Sequence, residues 1–152
     1  PDPGYSGSDS FTYRVTDGDG NTDDARVSIT VNAVDGTSTV LHVGDLDGSS
    51  LSSGGTWDAT VTAEVHDGND ALVGGATVIF SWTTQRGSTG TASCTTGDTG
   101  RCAVTVSGLA KRDGHVTFTV TNVTKTDHTY EKTKNHDPEG DSNGTQITVS
   151  KP

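Results

Sequence analysis

Phe11, Tyr13 and Val15 alternate with polar residues near the start of the chain, and Val27, Ile29 and Val31 alternate again beyond Gly18, Asp19, Gly20 and Asn21. A period of two on either side of a Gly/Asp/Asn turn predicts a β-hairpin over residues 1–35. A lone hairpin is marginal in water, so it has to pack on the following domain or on further strands. Val34, Asp35, Gly36 and Thr37 read as a linker, and from about Ser38 the alternation resumes. Strands are expected at 38–43, 57–66, 76–83, 90–95, 101–107, 115–122, 127–132 and 145–150. Their inward sets are Trp57, Ala59, Val61, Ala63 and Val65 in the second, Val78, Phe80 and Trp82 in the third, and Val116, Phe118 and Val120 in the sixth. No stretch keeps a 3.6-residue period. The pattern predicts an all-β chain: an immunoglobulin-like β-sandwich over 36–152, preceded by a hairpin fragment over 1–35.

Composition agrees. Of the 152 residues, apolar types make up 28 % and Gly contributes 20, with Met absent, which suits two thin facing sheets with tight turns. The formal net charge of −10 argues against nucleic acid, which needs a basic face. No apolar run is long enough to span a membrane. The chain starts at Pro1 inside an apparent motif and shows no signal peptide, so it reads as a piece of a larger protein whose export signal lies elsewhere. Cys94 and Cys102 flank a turn-rich segment containing Gly97, Asp98 and Gly100. A disulfide joining adjacent strands is favoured over two free thiols or a two-ligand metal fragment. It implies an oxidising, extracytoplasmic compartment, while the excised character of the chain makes other domains of the parent chain its expected partners.

Two resemblances sharpen this. GYSGSDSFTYRVTDGDGNTDDARVSITV, with Gly4, Tyr5, Gly7, Asp9, Phe11, Tyr13, Asp17, Gly20, Val27, Ile29 and Val31, resembles the last third of the cadherin-like repeats of large bacterial surface and secreted proteins. VTAEVHDGNDALVGGATVIFSW, CTTGDTGRCAVTV and GHVTFTV together resemble the invasin- and intimin-type bacterial Ig-like domain. The matching residues are Asp67 after the second strand, Gly75 with Ala76 before Val78 and Phe80, and Thr99 with Gly100 in a turn. The main domain departs from that pattern in its cysteine pair and in two acidic loops, 42–50 and 135–145.

Those loops carry the candidate chemistry. If strands alternate in direction, Asp45, Asp47, Asp137, Glu139 and Asp141 converge at one pole, where five carboxylates repel unless a cation or a basic partner neutralises them. A hard ion with six to eight oxygen ligands, Ca²⁺, fits best, against the alternative of solvated carboxylates capping turns. Neither loop is an EF-hand, because Thr56 and Thr148 stand where the twelfth-position Glu belongs; the hairpin tip 17–21 has Ser28 there and reads as a plain turn. His42 and His136 adjoin the same loops, but no spacing motif fixes them as ligands, and exposed loop histidines are the favoured reading. Tyr130, between His128 and Lys132, is the best exposed-aromatic candidate, while Trp57 and Trp82 fall in inward phase. Residues 104–134 hold five bases (Lys111, Arg112, Lys125, Lys132, Lys134) against three acids. Tyr130 with Lys111, Arg112, Lys132 and Lys134 therefore forms a candidate polysaccharide-binding set.

No nucleophile, zinc-protease or phosphate-loop motif is present, and the three glutamates (Glu64, Glu131, Glu139) show no glycosidase spacing. The sequence points to a non-catalytic accessory module of a larger secreted protein that binds extracellular polysaccharide. The alternative is a Ca²⁺-stiffened structural spacer with no ligand of its own.

Overall fold

The structure, a computed structural model, describes residues 7–31 and 38–152. The linker expected at 34–37, the boundary expected at 35/36, and Gly4 and Tyr5 lie outside the described residues. The chain divides into two units, Pro1–Thr37 and Ser38–Pro152.

In the first unit β1 (Gly7–Thr16) pairs antiparallel with β2 (Thr22–Val31), Phe11 opposite Val27 and Tyr13 opposite Ala25. Asp17 builds the turn. Its Oδ1 accepts the backbone N–H groups of Asp19 and Asn21 at 3.0 and 2.8 Å, and its Oδ2 accepts Asn21 Nδ2 at 2.9 Å. The side chain and backbone of Asn21 hold the Asp17 carboxyl below its usual range, as in an Asx turn that needs no cation.

The second unit is an immunoglobulin-like β-sandwich. Its strands are β3 (Val40–Ser53), β4 (Thr56–Asp67), β5 (Thr77–Thr84), β6 (Thr89–Thr95), β7 (Arg101–Ala110), β8 (His115–Thr124), β9 (Thr129–Tyr130) and β10 (Gln146–Ser150). They form two four-stranded sheets, ordered β10-β8-β5-β6 and β7-β4-β3-β9. The expected inward alternation holds: Trp57, Val61 and Val65 of β4 meet Val78 and Phe80 of β5 and Val116, Phe118 and Val120 of β8 in one core. Phe80 and Phe118 pack edge to face at 6.4 Å. Outside, threonine hydroxyls pair across strands, Thr60 with Thr105 at 2.8 Å and Thr117 with Thr148 at 3.1 Å, which gives the high Thr content a structural role.

Three expectations need correction. Residues 42–50 are not a loop, because β3 runs on to Ser53 and turns through Gly54 (φ 56°) and Gly55 into β4. The signal is hidden because Gly48 takes an inward position under Ile147 and Val149, whose side chains fill the space a larger residue would need. The expected strand at 127–132 is only the two residues of β9, parallel to Val40 and Leu41, followed by a 3₁₀ turn at Lys132–Lys134. Cys94 and Cys102 are disulfide-bonded with Cα atoms 5.7 Å apart, but they do not lie on adjacent strands. They join β6 and β7, the edge strands of opposite sheets, so the bond closes one side of the sandwich.

Candidate functional site

The distinctive surface is the outer face of the β7-β4-β3-β9 sheet along β3. Register from the Gly54–Gly55 turn pairs Asp45 with Glu64; a bulge at Gly44 then shifts the ladder and pairs His42 with His66. On β4 the inward residues are Ala63 and Val65, so Glu64 and His66 point outward, and His42 and Asp45 share their face. Beyond Leu41 the free edge of β3 is met by a strap, residues 132–145, rather than by another strand. The His136 N–H donates to Val43 O at 3.0 Å, and Asn135 Oδ1 accepts the Val43 N–H at 2.9 Å. Asn135 Nδ2 in turn donates to Tyr130 Oη at 2.7 Å and Thr145 Oγ1 at 2.9 Å. Gly144 (φ 70°) lets the strap fold tightly on itself, since a Cβ there would lie 2.6 Å from the His136 nitrogen.

The strap buries an acidic group. Asp45 is only 6 % exposed, and among the described residues its Oδ1 has no hydrogen-bond partner. Asp45, Asp137 and Glu139 each offer an oxygen within 4.8 Å of the others. Burial, together with the carboxylates of Asp47, Glu139 and Asp137, pushes the Asp45 carboxyl up to about 6. Arg101 offsets part of this charge from 4.0 Å at Asp45 and 3.7 Å at Asp47, but its Nε is committed to Glu64 at 2.5 Å. Asp137 also organises the strap: it accepts the Gly140 N–H at 2.6 Å, the Ser142 N–H at 3.0 Å and the Ser142 hydroxyl. Against the upward push of burial, these bonds hold its carboxyl below the usual range. Desolvation and a hydrogen bond to Asp137 push Asp141 up. The five expected carboxylates thus gather on one flank of the sheet, not at a pole. They gather there because β3 is long and the strap runs beside it.

The reading of exposed loop histidines holds for His136, which is exposed in the strap, and needs correction for His42. His42 lies in β3 and is 2 % exposed. Its ring centroid stands 5.6 Å from that of His66 and 5.1 Å from that of His136. His66 and Asp70 complete this group, and the sequence reading missed both. Counting register back from the Gly54–Gly55 turn, with a one-residue bulge at Gly44, would have placed His66 opposite His42.

The polysaccharide set is not one surface. Ala110 pairs with Thr56 at one end of β4, and Lys111 and Arg112 follow it there; Tyr130 pairs with Leu41, itself opposite Asp67 at the other end. Lys132 and Lys134 follow Tyr130, so roughly 30 Å of strand separates the two halves. Nor is Tyr130 an exposed platform: its ring packs against the core and its hydroxyl is engaged by Asn135. Burial pushes the Tyr130 hydroxyl up. Trp57 is fully buried, with its Nε1–H donating to Ala110 O at 3.2 Å. Trp82 is only half-buried and lines a surface hollow of about 320 Å³ with Val106, Gly108, Leu109 and Arg112.

A family model described as a bacterial Ig domain matches residues 1–30. The match falls on the hairpin segment whose motif resembles a cadherin-like repeat. It supports a bacterial Ig-like relationship and, with it, an accessory or structural module of the kind often found outside the cell. No curated protein and no solved structure matches the chain. Among the described residues no helix is long and apolar enough to cross a membrane.

Proposed function

We propose that the chain is a structural accessory module of a larger extracellular protein, a non-catalytic spacer that Ca²⁺ stiffens by fastening the strap to its sheet. The observation that carries this reading is Asp45, a buried carboxylate with an unpartnered oxygen facing Asp137 and Glu139. Ionised and unneutralised, such a group opposes folding. Ca²⁺ accepts carboxylates from separate segments and completes its shell with carbonyl and water oxygens. The disulfide between the edge strands is in keeping with a rigid module in an oxidising compartment. Thermal melts of the whole chain test the reading. Saturating Ca²⁺ is expected to raise the stability of the wild type by about 3 kcal/mol at a hundredfold excess over Kd, and to leave Asp45→Asn unmoved. A wild type that melts identically in Ca²⁺ and in EDTA would refute it.

Polysaccharide binding is a second reading, supported by one observation: the half-buried Trp82 and Arg112 share a surface hollow. An indole face beside a guanidinium suits an acidic sugar. Retardation on a uronic-acid polymer in affinity electrophoresis, reduced in Arg112→Ala, is the expected result. Equal migration with and without polymer would remove this reading and leave the spacer standing.

A further inference from the structure

We propose that His42, His66, His136 and Asp70 form a binding site for a transition-metal dication of the Zn²⁺ type, separate from the carboxylate cluster beside it. Each of the four offers a ligand atom within 4.8 Å of the other three. They come from three places, namely β3, the end of β4 with the turn that follows it, and the strap. A bound ion therefore clips the strap to the sheet.

The nitrogens left without partners make this a site rather than a stack of rings. Among the described residues neither ring nitrogen of the buried His42 makes a well-aligned hydrogen bond, and the polar atom facing Nε2 is Asp70 Oδ1 at 3.1 Å. His66 Nδ1 is likewise buried and unpartnered. A buried ring nitrogen left without a partner costs on the order of 1–3 kcal/mol, and such nitrogens on two neighbouring rings are an arrangement that a ligand stabilises. Two of the remaining nitrogens are already held. His66 Nε2 lies 2.7 Å from Glu64 Oε1, and Glu64 is anchored in turn by Arg101. His136 Nδ1 lies 3.2 Å from Lys134 O. A carboxylate or carbonyl on one ring nitrogen fixes the tautomer and presents the other as a lone pair, which is how metal-binding histidines are oriented.

Backbone placement supports the same reading. The bulge residue is glycine, and a Cβ at Gly44 would lie 2.7 Å from His66 Cγ, so only glycine leaves room for that ring. Asp67 Oδ1 accepts the N–H groups of Asn69 and Ala71 at 2.8 and 3.1 Å. That turn holds Asp70 in the left-handed region (φ 61°) and carries its carboxylate to His42. The donor set decides the ion: three imidazoles and one carboxylate suit a borderline dication, whereas Ca²⁺ prefers oxygen alone. A tetrahedral Zn²⁺ with bonds near 2.0 Å sets its ligand atoms about 3.3 Å apart. Closing from the present spacing takes a modest side-chain adjustment, within reach of the exposed Asp70 and His136.

The test uses the whole chain, stripped with EDTA and held in excess Ca²⁺ so that the carboxylate cluster is occupied. Co²⁺ titration followed by visible absorption, and Zn²⁺ titration by calorimetry, are expected to show one equivalent bound with nitrogen-ligand bands. His136→Gln, at an exposed strap position, and His66→Gln are each expected to weaken binding tenfold or more. His115→Gln, at the opposite end of β8, is expected to change nothing. Circular dichroism of the metal-free variants checks that each is folded. A wild type that binds neither ion, or either cluster variant keeping wild-type affinity, overturns the proposal. Loss of the Ca²⁺ response alone would leave it intact.

Discussion

At its strap end the β3–β4 ladder buries residues on both faces, and they are buried to opposite effect. Inward, Leu41, Val43 and Leu46 of β3 and Trp57, Val61 and Val65 of β4 lose all or nearly all contact with water, each contributing about 1.5–3 kcal/mol. Outward, between those same β3 residues, His42 and Asp45 are almost as hidden under the strap. Their burial leaves ring nitrogens and a carboxylate oxygen without hydrogen-bond partners among the described residues. One face is complete in itself, while the other is stable to the extent that something neutralises it. Burial alone therefore does not mark a core. The chemistry of what is buried separates a face that holds the fold from one arranged to hold an ion.

The largest expected effect breaks the inner face. Trp57→Ala removes a fully buried indole together with its hydrogen bond to Ala110. It should cost the second unit about 4 kcal/mol, read as a lower urea midpoint. The loss should be the same in Ca²⁺ and in EDTA, because no ion is tied to that face. A Ca²⁺-dependent loss would mean that the two faces are not independent.

How far the sequence was legible follows the same division. Period-two alternation marked β4, β5 and β8 almost residue for residue, because a sandwich core demands an apolar side chain at every second position. It failed on β3 past Val43, where Gly48 makes room for Ile147 and Val149 and the outward residues are Asp45, Asp47 and Ser49. The stretch looked like an acidic loop. That error also moved the carboxylates from a flank to a pole, although their convergence was anticipated. The histidine group was harder to see. His42, His66 and His136 are far apart in sequence, and their meeting depends on a one-residue bulge and on a strap that takes the place of a strand. Tyr130 misled for a related reason: its neighbours are polar, but the strap folds back and engages its hydroxyl. The first hairpin shows the opposite case. Its alternation predicts β1 and β2 correctly, yet Phe11 and Val15 are 54 % and 56 % exposed within the structure, so pattern alone fixed the strands without fixing what covers them.

A smaller effect sharpens the contrast from the outer side. The Asp45 carboxyl is raised to about 6 in the folded domain, against about 3.9 in an unfolded chain. The folded state therefore keeps a proton that the unfolded state has already released. Below pH 4 both forms are protonated and the group is neutral to stability. Between pH 4 and 6 the unfolded state ionises first, so metal-free stability falls as pH rises, by on the order of 2–3 kcal/mol, and levels off above. Asp137 and Glu64, whose carboxyls are held low, act in the opposite direction over the acid range. The informative quantity is thus the difference between wild type and Asp45→Asn, measured by urea unfolding from pH 4 to 7.5 in EDTA. Asp45→Asn should match the wild type near pH 4 and exceed it increasingly toward neutrality. Ca²⁺ should erase that advantage, because it binds the ionised carboxylate and leaves the amide untouched. An inner-face residue can show no such exchange of sign. If Asp45→Asn is less stable than the metal-free wild type at pH 7, Asp45 is already satisfied by Arg101, and the outer face needs no ion at that point.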